Sequence, residues 1–275
     1  MSTVPASSVP ERIADYEIVR PIGMGNHGRF YLARPPARLG IRDELVALKV
    51  FAGECSEDAY RRGTRELRAF AAVSSPYLAV VYDAVLQDSF LYAMEYFPQG
   101  SLAASATPLE RRGQLRALEH AARAIHALHE AGIAHGDIKP ANIMLTGTGA
   151  KVSDLGLARV FASGLALTGM APQTSIEYVD PELLRGSEPS RSTDIWALGA
   201  TVNRVLSGQG LYGEIPADQP ILAIRRVQSS PPTIAATLSD TERAVVERCL
   251  ADVGARYPTA QELADDLAAL SGAAG

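Results

Sequence analysis

Hydrophobic periodicity changes once along these 275 residues, and the change at Pro98-Gln99-Gly100 limits what the chain can fold into. Before it, the runs YEIVRPIG, RFYLARP, LVALKVF, AVVYDAVL and FLYAMEYF read as strands, separated by Gly, Pro and charged turns. One helix interrupts them. The segment SEDAYRRGTRELRAFAA, residues 56–72, opens with a Ser/Glu cap signal and spaces its apolar residues helically, with Gly63 weakening its interior. Beyond Ser101 the period is helical. LEHAARAIHALHEAG, TDIWALGATVNRVLSG, DTERAVVERCLAD and TAQELADDLAAL each carry an apolar stripe at i, i+3 and i+4, and several end at glycine. The expected class is α+β, with a small antiparallel sheet and one main helix preceding a larger, mostly helical lobe. A Ser- and Pro-rich start reads as a disordered leader over 1–15, followed by lobes at 16–97 and 98–270 and a tail at 271–275.

Composition narrows the function. With 47% hydrophobic and 21% charged residues the chain is of ordinary globular type. A net charge of −5 argues against a nucleic acid or an anionic membrane as partner. Cys55 and Cys249 are far apart and neither belongs to a CxxC, so neither a disulfide framework nor a zinc site is expected. No signal peptide and no run of about 18 apolar residues is visible, and the expected location is the cytoplasm.

The polar residues at fixed spacing point to phosphoryl transfer. That reaction needs a lid over the phosphates, a cation on their oxygens, ligands for a hard metal ion and a group orienting the attacking hydroxyl. Gly23-Met24-Gly25-Asn26-His27-Gly28 lies between two strand runs, where glycines would let backbone N–H groups approach phosphates. By itself it reads more often as a plain turn. Lys49 ends the apolar strand VALK, and Glu66 on the following helix is placed to hold its ammonium. The segment His135-Gly136-Asp137-Ile138-Lys139-Pro140-Ala141-Asn142, followed by Asp154-Leu155-Gly156, supplies the rest. In it Asp137 would accept the hydroxyl proton, Lys139 would neutralise the γ-phosphate, and Asn142 with Asp154 would offer oxygens to Mg²⁺.

With these residues in place the chain resembles the eukaryotic-type serine/threonine protein kinases, in the form found in bacteria. Val179-Asp180-Pro181-Glu182 stands where that family has its APE segment, Asp194-Ile195-Trp196-Ala197-Leu198-Gly199 matches its DxWxxG helix, and Arg256 takes its arginine position near the C-terminus. The resemblance implies a bilobal protein-kinase fold, ATP as cofactor with Mg²⁺ or alternatively Mn²⁺, and protein substrates. A regulatory partner or a homodimer is compatible with it. It makes Met94 the gatekeeper, assigns hinge backbone groups to Glu95 and Phe97, and puts Ile22, Gly23, Gly25, Gly28, Phe30, Ala47 and Met144 around the nucleotide. Phe30 stands where most similar kinases carry valine. Lys139, together with Ser175 as a hydroxyl bonded to the catalytic Asp and Lys, implies the serine/threonine class. Glu182 and Arg256 would form a buried ion pair.

Three departures stand out: Gly136 replaces the arginine of HRD, Leu155 the phenylalanine of DFG, and Thr174-Ser175-Ile176-Glu177 the commoner Gly-Thr-Pro-Glu. Without an arginine at 136, a phosphate on Thr168 would find Arg159 as its remaining family cation. Two other readings compete. A pseudokinase scaffold would lack one of Lys49, Asp137 or Asp154, and a small-molecule phosphotransferase of the aminoglycoside or choline kinase type would lack Lys139 and the APE-like segment. His126 and His129, at i and i+3, form no complete metal-ligand set, and His135 is expected to pack in the core.

Overall fold

The computed structural model of the chain describes residues 10–25, 28–51, 57–86, 89–154, 173–213, 215 and 219–273. The chain divides into two compact units, one formed by residues up to Arg65 together with Val80–Tyr96, the other by Glu66–Ala79 and Phe97 onward. The second unit therefore includes a segment that the sequence reading assigned to the strand-rich lobe.

The first unit is built on an antiparallel sheet of β1 (Arg12–Ile13), β2 (Tyr16–Gly25), β3 (Gly28–Arg34), β4 (Val46–Phe51), β5 (Val81–Leu86) and β6 (Phe90–Glu95). Their order is β1-β2-β3-β4-β6-β5. Pairing begins earlier than expected, because Arg12 and Ile13 already lie opposite Glu17 and Tyr16 within the predicted leader. Alternation then sorts the side chains. Tyr31, Ala33, Val46, Leu48, Leu91 and Ala93 pack with Tyr16 into one core, so Ala47, Lys49 and Phe51 point to the opposite face of β4. Pro21 is tolerated in β2 because the register shifts there, between Pro21 and Gly23. A polar network pins the strand starts: the buried Tyr16 hydroxyl donates to Asp83 at 2.7 Å, and Arg38 reaches both Asp83 and Asp15. Helix α1 (Glu57–Ala71) follows β4 in sequence, and Gly63 is buried in it.

The second unit is helical around a central segment. Helix α2 (Arg111–Glu130) buries a stripe from Leu115 through Ala121, Ala122 and Ile125 to Leu128. Two short helices, α3 (Pro181–Leu184) and α5 (Pro220–Ser229), each start on a proline, which fits a helix N-terminus because that N–H has no partner there. Between them lies α4 (Arg191–Ser207), apolar on nearly every side and buried from Thr193 to Asn203, as befits a helix in the middle of a core. Ser190 and Thr193 form a capping box at its start, and Gly208 ends it at φ 74°. Gly199 admits α6 (Asp240–Leu250): a Cβ there would lie 2.3 Å from that of Cys249. Helix α7 (Ala260–Ala273) packs against α2. Arg111 at the start of α2 holds Glu242 of α6 through two bonds of 2.7 Å. A second sheet, in the order β10-β9-β7-β8, joins β7 (Gly100–Ser101), β8 (Ala104–Ser105), β9 (Ile143–Thr146) and β10 (Gly149–Val152). No described helix is long and apolar enough to cross a membrane.

Candidate active site

In the first unit the strand register gathers several of the expected residues on one sheet face. Lys49 pairs with Phe30 on β3 and Tyr92 on β6, and Ala47 pairs with Leu32 and Met94. Since positions 47 and 49 of β4 share a face, Phe30, Ala47, Lys49 and Met94 do too. Ala47 and Met94 are buried, while Phe30, Lys49 and Ile22 are half-buried. Gly25 and Gly28 face each other where β2 turns into β3. A Cβ on Gly28 would meet the Val50 carbonyl oxygen and Phe51 Cα, so close approach to β4 requires glycine there. Nothing lies within 4 Å of a Cβ built on Gly23. Glu95 ends β6 with its N–H donating to Val80 O at 2.9 Å, and its carboxylate accepts the Val80 N–H at 3.2 Å.

In the second unit, Glu66 is half-buried on α1 and Met144 half-buried on β9, and the Phe97 carbonyl accepts the Gly100 N–H at 3.1 Å. The short catalytic segment is tightly bonded. The Lys139 ammonium donates to both Asp137 oxygens, at 2.9 and 2.7 Å. Asn142 Nδ2 donates to the Asp137 carbonyl at 2.7 Å and to its Oδ2 at 3.0 Å. These charge-assisted bonds fix the rotamer of a half-buried carboxylate. Because the amide nitrogen faces Asp137, the amide oxygen is the group that Asn142 offers elsewhere. The β9–β10 register, with Ile143 opposite Val152, carries Asn142 beside Ser153, whose N–H donates to Asn142 O at 2.9 Å. Asp154 follows, at φ 57°.

Two residues that the sequence reading valued only as motif letters or as packing organise this segment. Buried Asp194, in the first turn of α4, accepts the His135 N–H at 2.7 Å and the Gly136 N–H at 2.9 Å, and its Oδ2 lies 2.9 Å from His129 Nε2. His135 bridges the loop to the strand end: its Nδ1 accepts the Asp137 N–H at 3.3 Å and its Nε2 donates to Ser153 O at 3.2 Å. Burial holds its pKa below the ordinary imidazole value, in keeping with the neutral tautomer those bonds require. Gly136, at φ 74°, takes a left-handed conformation that a side chain would strain. A recess beside Asp137 is lined by Gly136, Ile138, Tyr178, Val179, Leu183 and Ala197, among others. A carboxylate among the apolar residues of a helix buried from Thr193 to Asn203 is the signal that marks Asp194 in advance.

The expected pair of Glu182 with Arg256 is not formed. Arg256 Nη1 instead bonds Asp180 Oδ2 at 2.5 Å, Ser192 O at 2.9 Å and Ser192 Oγ at 3.1 Å, while Nε reaches Ala251 O at 2.8 Å and the guanidinium lies 5.0 Å from the Trp196 ring centroid. Asp180 is the N-cap of α3, its other oxygen accepting the Glu182 N–H at 3.0 Å. The cap position turns its side chain inward, whereas Glu182 in the first turn is partly exposed and pairs with Arg185. The dipeptide Asp-Pro was the available sign, since Asp followed by Pro is an N-cap with N1 signature.

Ser175 falls in a 3-10 segment, Gln173–Tyr178, and its side chain lies outside the described residues, as do Asn26, His27, Cys55, Leu155, Gly156, Arg159 and Thr168. Among the described residues no group of three or more His, Cys, Asp or Glu side chains is placed to hold a metal ion.

Comparison with known proteins agrees with this arrangement. The family described as Protein kinase domain matches residues 16–267. The serine/threonine-protein kinase PknB of Mycobacterium tuberculosis is 32% identical over 276 residues, covering 94% of this chain and 44% of that protein. PrkC of Bacillus subtilis, also named a serine/threonine-protein kinase, is 29% identical over 92% of this chain and 40% of its own length. PknA of Corynebacterium glutamicum, with the same description, is 29% identical over 91% and 55%. The chain thus spans about half the length, or less, of these relatives.

Proposed function

The chain belongs to the protein kinase family, and from that premise we propose that it transfers the γ-phosphoryl group of ATP to serine and threonine hydroxyls of protein substrates. The observation that carries this reading is the Asp137 carboxylate held on both oxygens by Lys139 and on one by Asn142. A hydroxyl facing that carboxylate is oriented for attack and has an acceptor for its proton late in transfer. As the phosphoryl group arrives, Lys139 shares its positive charge with the incoming oxygens. Lys49 binds the α- and β-phosphate oxygens, with Glu66 assigned to steady it. Ile22, Phe30, Ala47, Met94 and Met144 give the base an apolar setting, and Glu95 and Phe97 supply backbone hydrogen bonds to its edge.

Asn142 Oδ1 and the Asp154 carboxylate are oxygen donors one strand-end apart, the kind of incomplete set that suits Mg²⁺ or Mn²⁺ shared with phosphates. An ion held there would supply positive charge against the phosphate oxygens. Ser175 is assigned to the proposed site by the family resemblance, as a hydroxyl that would bond Asp137 and Lys139. Lys139 and the Val179-Asp180-Pro181-Glu182 segment, which the metabolite enzymes lack, favour a protein over a small metabolite as the acceptor. A cytoplasmic location fits the sparse cysteines, of which Cys249 is buried and free of a disulfide. Regulation by a partner or a second copy is compatible with this reading.

The test is incubation with Mg²⁺, γ-labelled ATP and a generic protein substrate, followed by phosphoamino-acid analysis. Phosphoserine or phosphothreonine that disappears in Asp137→Asn supports the proposal. Nucleotide binding without transfer would favour a scaffold, and transfer confined to small hydroxyl compounds would favour the metabolite enzymes.

A further inference from the structure

The sheet face that carries Lys49 is aromatic. Phe30 and Tyr92 stand directly across from Lys49 on the two neighbouring strands, and Phe51 lies two residues along its own strand. The ammonium nitrogen is 4.9 Å from the Phe30 ring centroid, 5.3 Å from that of Phe51 and 5.8 Å from that of Tyr92. Behind them Phe90 completes a ring cluster, 5.3 Å from Phe51 and 6.5 Å from Tyr92. Phe51, Phe90 and Tyr92 are buried, whereas Phe30 is half-buried and forms the outer wall. Aromatic faces are negative and attract an ammonium most where water is thinned, within about 6 Å of the centroid.

A lysine stem is flexible, and a phosphate contact made by it must restrict several torsions. Rings on three sides do that beforehand. They are also uncharged, so the rings themselves do not neutralise the ammonium. We propose that Phe30, with Phe51 and Tyr92, is a positioning residue for Lys49: the three ring faces hold the ammonium in the place from which it meets phosphate oxygens. Phe30 is the part of this cradle that a mutation can remove without opening the core. The proposal rests on the reading of Lys49 as the phosphate-binding cation, and it assigns Phe30 a task in addition to the apolar setting it gives the base.

The experiment compares Phe30→Leu, which keeps apolar volume but has no ring, with Phe30→Tyr, which keeps the ring. Steady-state kinetics should show KM for ATP raised about five-fold or more in Phe30→Leu, and by a smaller factor in Phe30→Tyr, which keeps the ring face. The chain has three lysines among its 26 basic residues, Lys49, Lys139 and Lys151, so ε-¹³C-lysine labelling gives three readable signals. The Lys49 ε-methylene protons should lie upfield of the other two through ring currents, and should move toward the free-lysine position in Phe30→Leu but not in Phe30→Tyr. An unchanged or lowered KM in Phe30→Leu, or a Lys49 signal without the upfield displacement in the parent protein, overturns the proposal. A parent protein that shows the displaced signal but no phosphoryl transfer would sink the kinase reading and leave the cradle standing.

Discussion

Asp180 and Arg256 form a buried ion pair across 76 residues of sequence, and the same carboxylate caps helix α3. One aspartate thereby fixes the segment leading into α3 to the last third of the chain. Removing one partner strands the other charge in a dry site, so Asp180→Ala should cost about 3 to 5 kcal/mol in urea unfolding. Glu182 and Arg185 are a partly exposed pair at i, i+3, so Glu182→Gln should change stability by less than about 1 kcal/mol. Equal losses in the two variants would restore Glu182 as the anchor.

Asp194 satisfies two backbone N–H groups and one imidazole with a carboxylate that has only acceptors. An asparagine there must turn its NH₂ toward at least one of those donors. Asp194→Asn should therefore lower kcat about ten-fold or more while leaving nucleotide affinity within about two-fold, because it disturbs the loop that aims Asp137 and not Lys49. Calorimetric titration with ATP beside steady-state rates separates the two quantities. A loss confined to ATP affinity would contradict the assignment.

His135 and His120 both have pKa values lowered by burial. The unfolded chain then binds more protons than the folded one once the pH drops below the ordinary histidine value, about 6.5. Their contribution is complete above that value and is lost as pH falls from it toward the lowered folded pKa values. Urea midpoints should accordingly drop between pH 7.5 and 5.5, with a shallower drop in His135→Gln. An identical slope in that variant would remove His135 from the explanation.

Much of this was readable beforehand where side-chain period alone decides the outcome. In VALKVF the alternation separates Val46 and Leu48 from Ala47 and Lys49, and the sheet uses that division directly. The short spacing of Asp137, Lys139 and Asn142 likewise keeps these three in one segment, where Lys139 and Asn142 bond the Asp137 carboxylate. The two-residue strands Gly100–Ser101 and Ala104–Ser105 were not readable, because so short a run has no period and exists only by pairing with β9. The choice between Asp180 and Glu182, two carboxylates in one segment, is legible only through the Asp-Pro cap signature that sets their directions. Asp194 was recognised as a motif residue, but its bonds to the catalytic loop depend on a helix brought back from about 60 residues away.

The absence of arginine at 136 bears on control. Glycine offers no cation to a phosphate on Thr168, so phosphorylation there has less to gain. Thr168→Ala should keep activity within about five-fold, whereas Ser175→Ala, which removes a hydroxyl from the proposed bonds to Asp137 and Lys139, should lose considerably more. Rates with one protein substrate decide it: a Thr168→Ala enzyme as inactive as Asp137→Ala would mean that another cation takes over the role of the missing arginine.

The central claim is that Asp137 orients and deprotonates the acceptor hydroxyl, and Asp137→Asn tests it most directly because the amide keeps the shape and loses the charge. Single-turnover transfer from Mg·ATP to a serine-containing protein substrate should slow by about a thousand-fold, with ATP affinity within about two-fold of the parent. Transfer within several-fold of the parent rate would contradict the account.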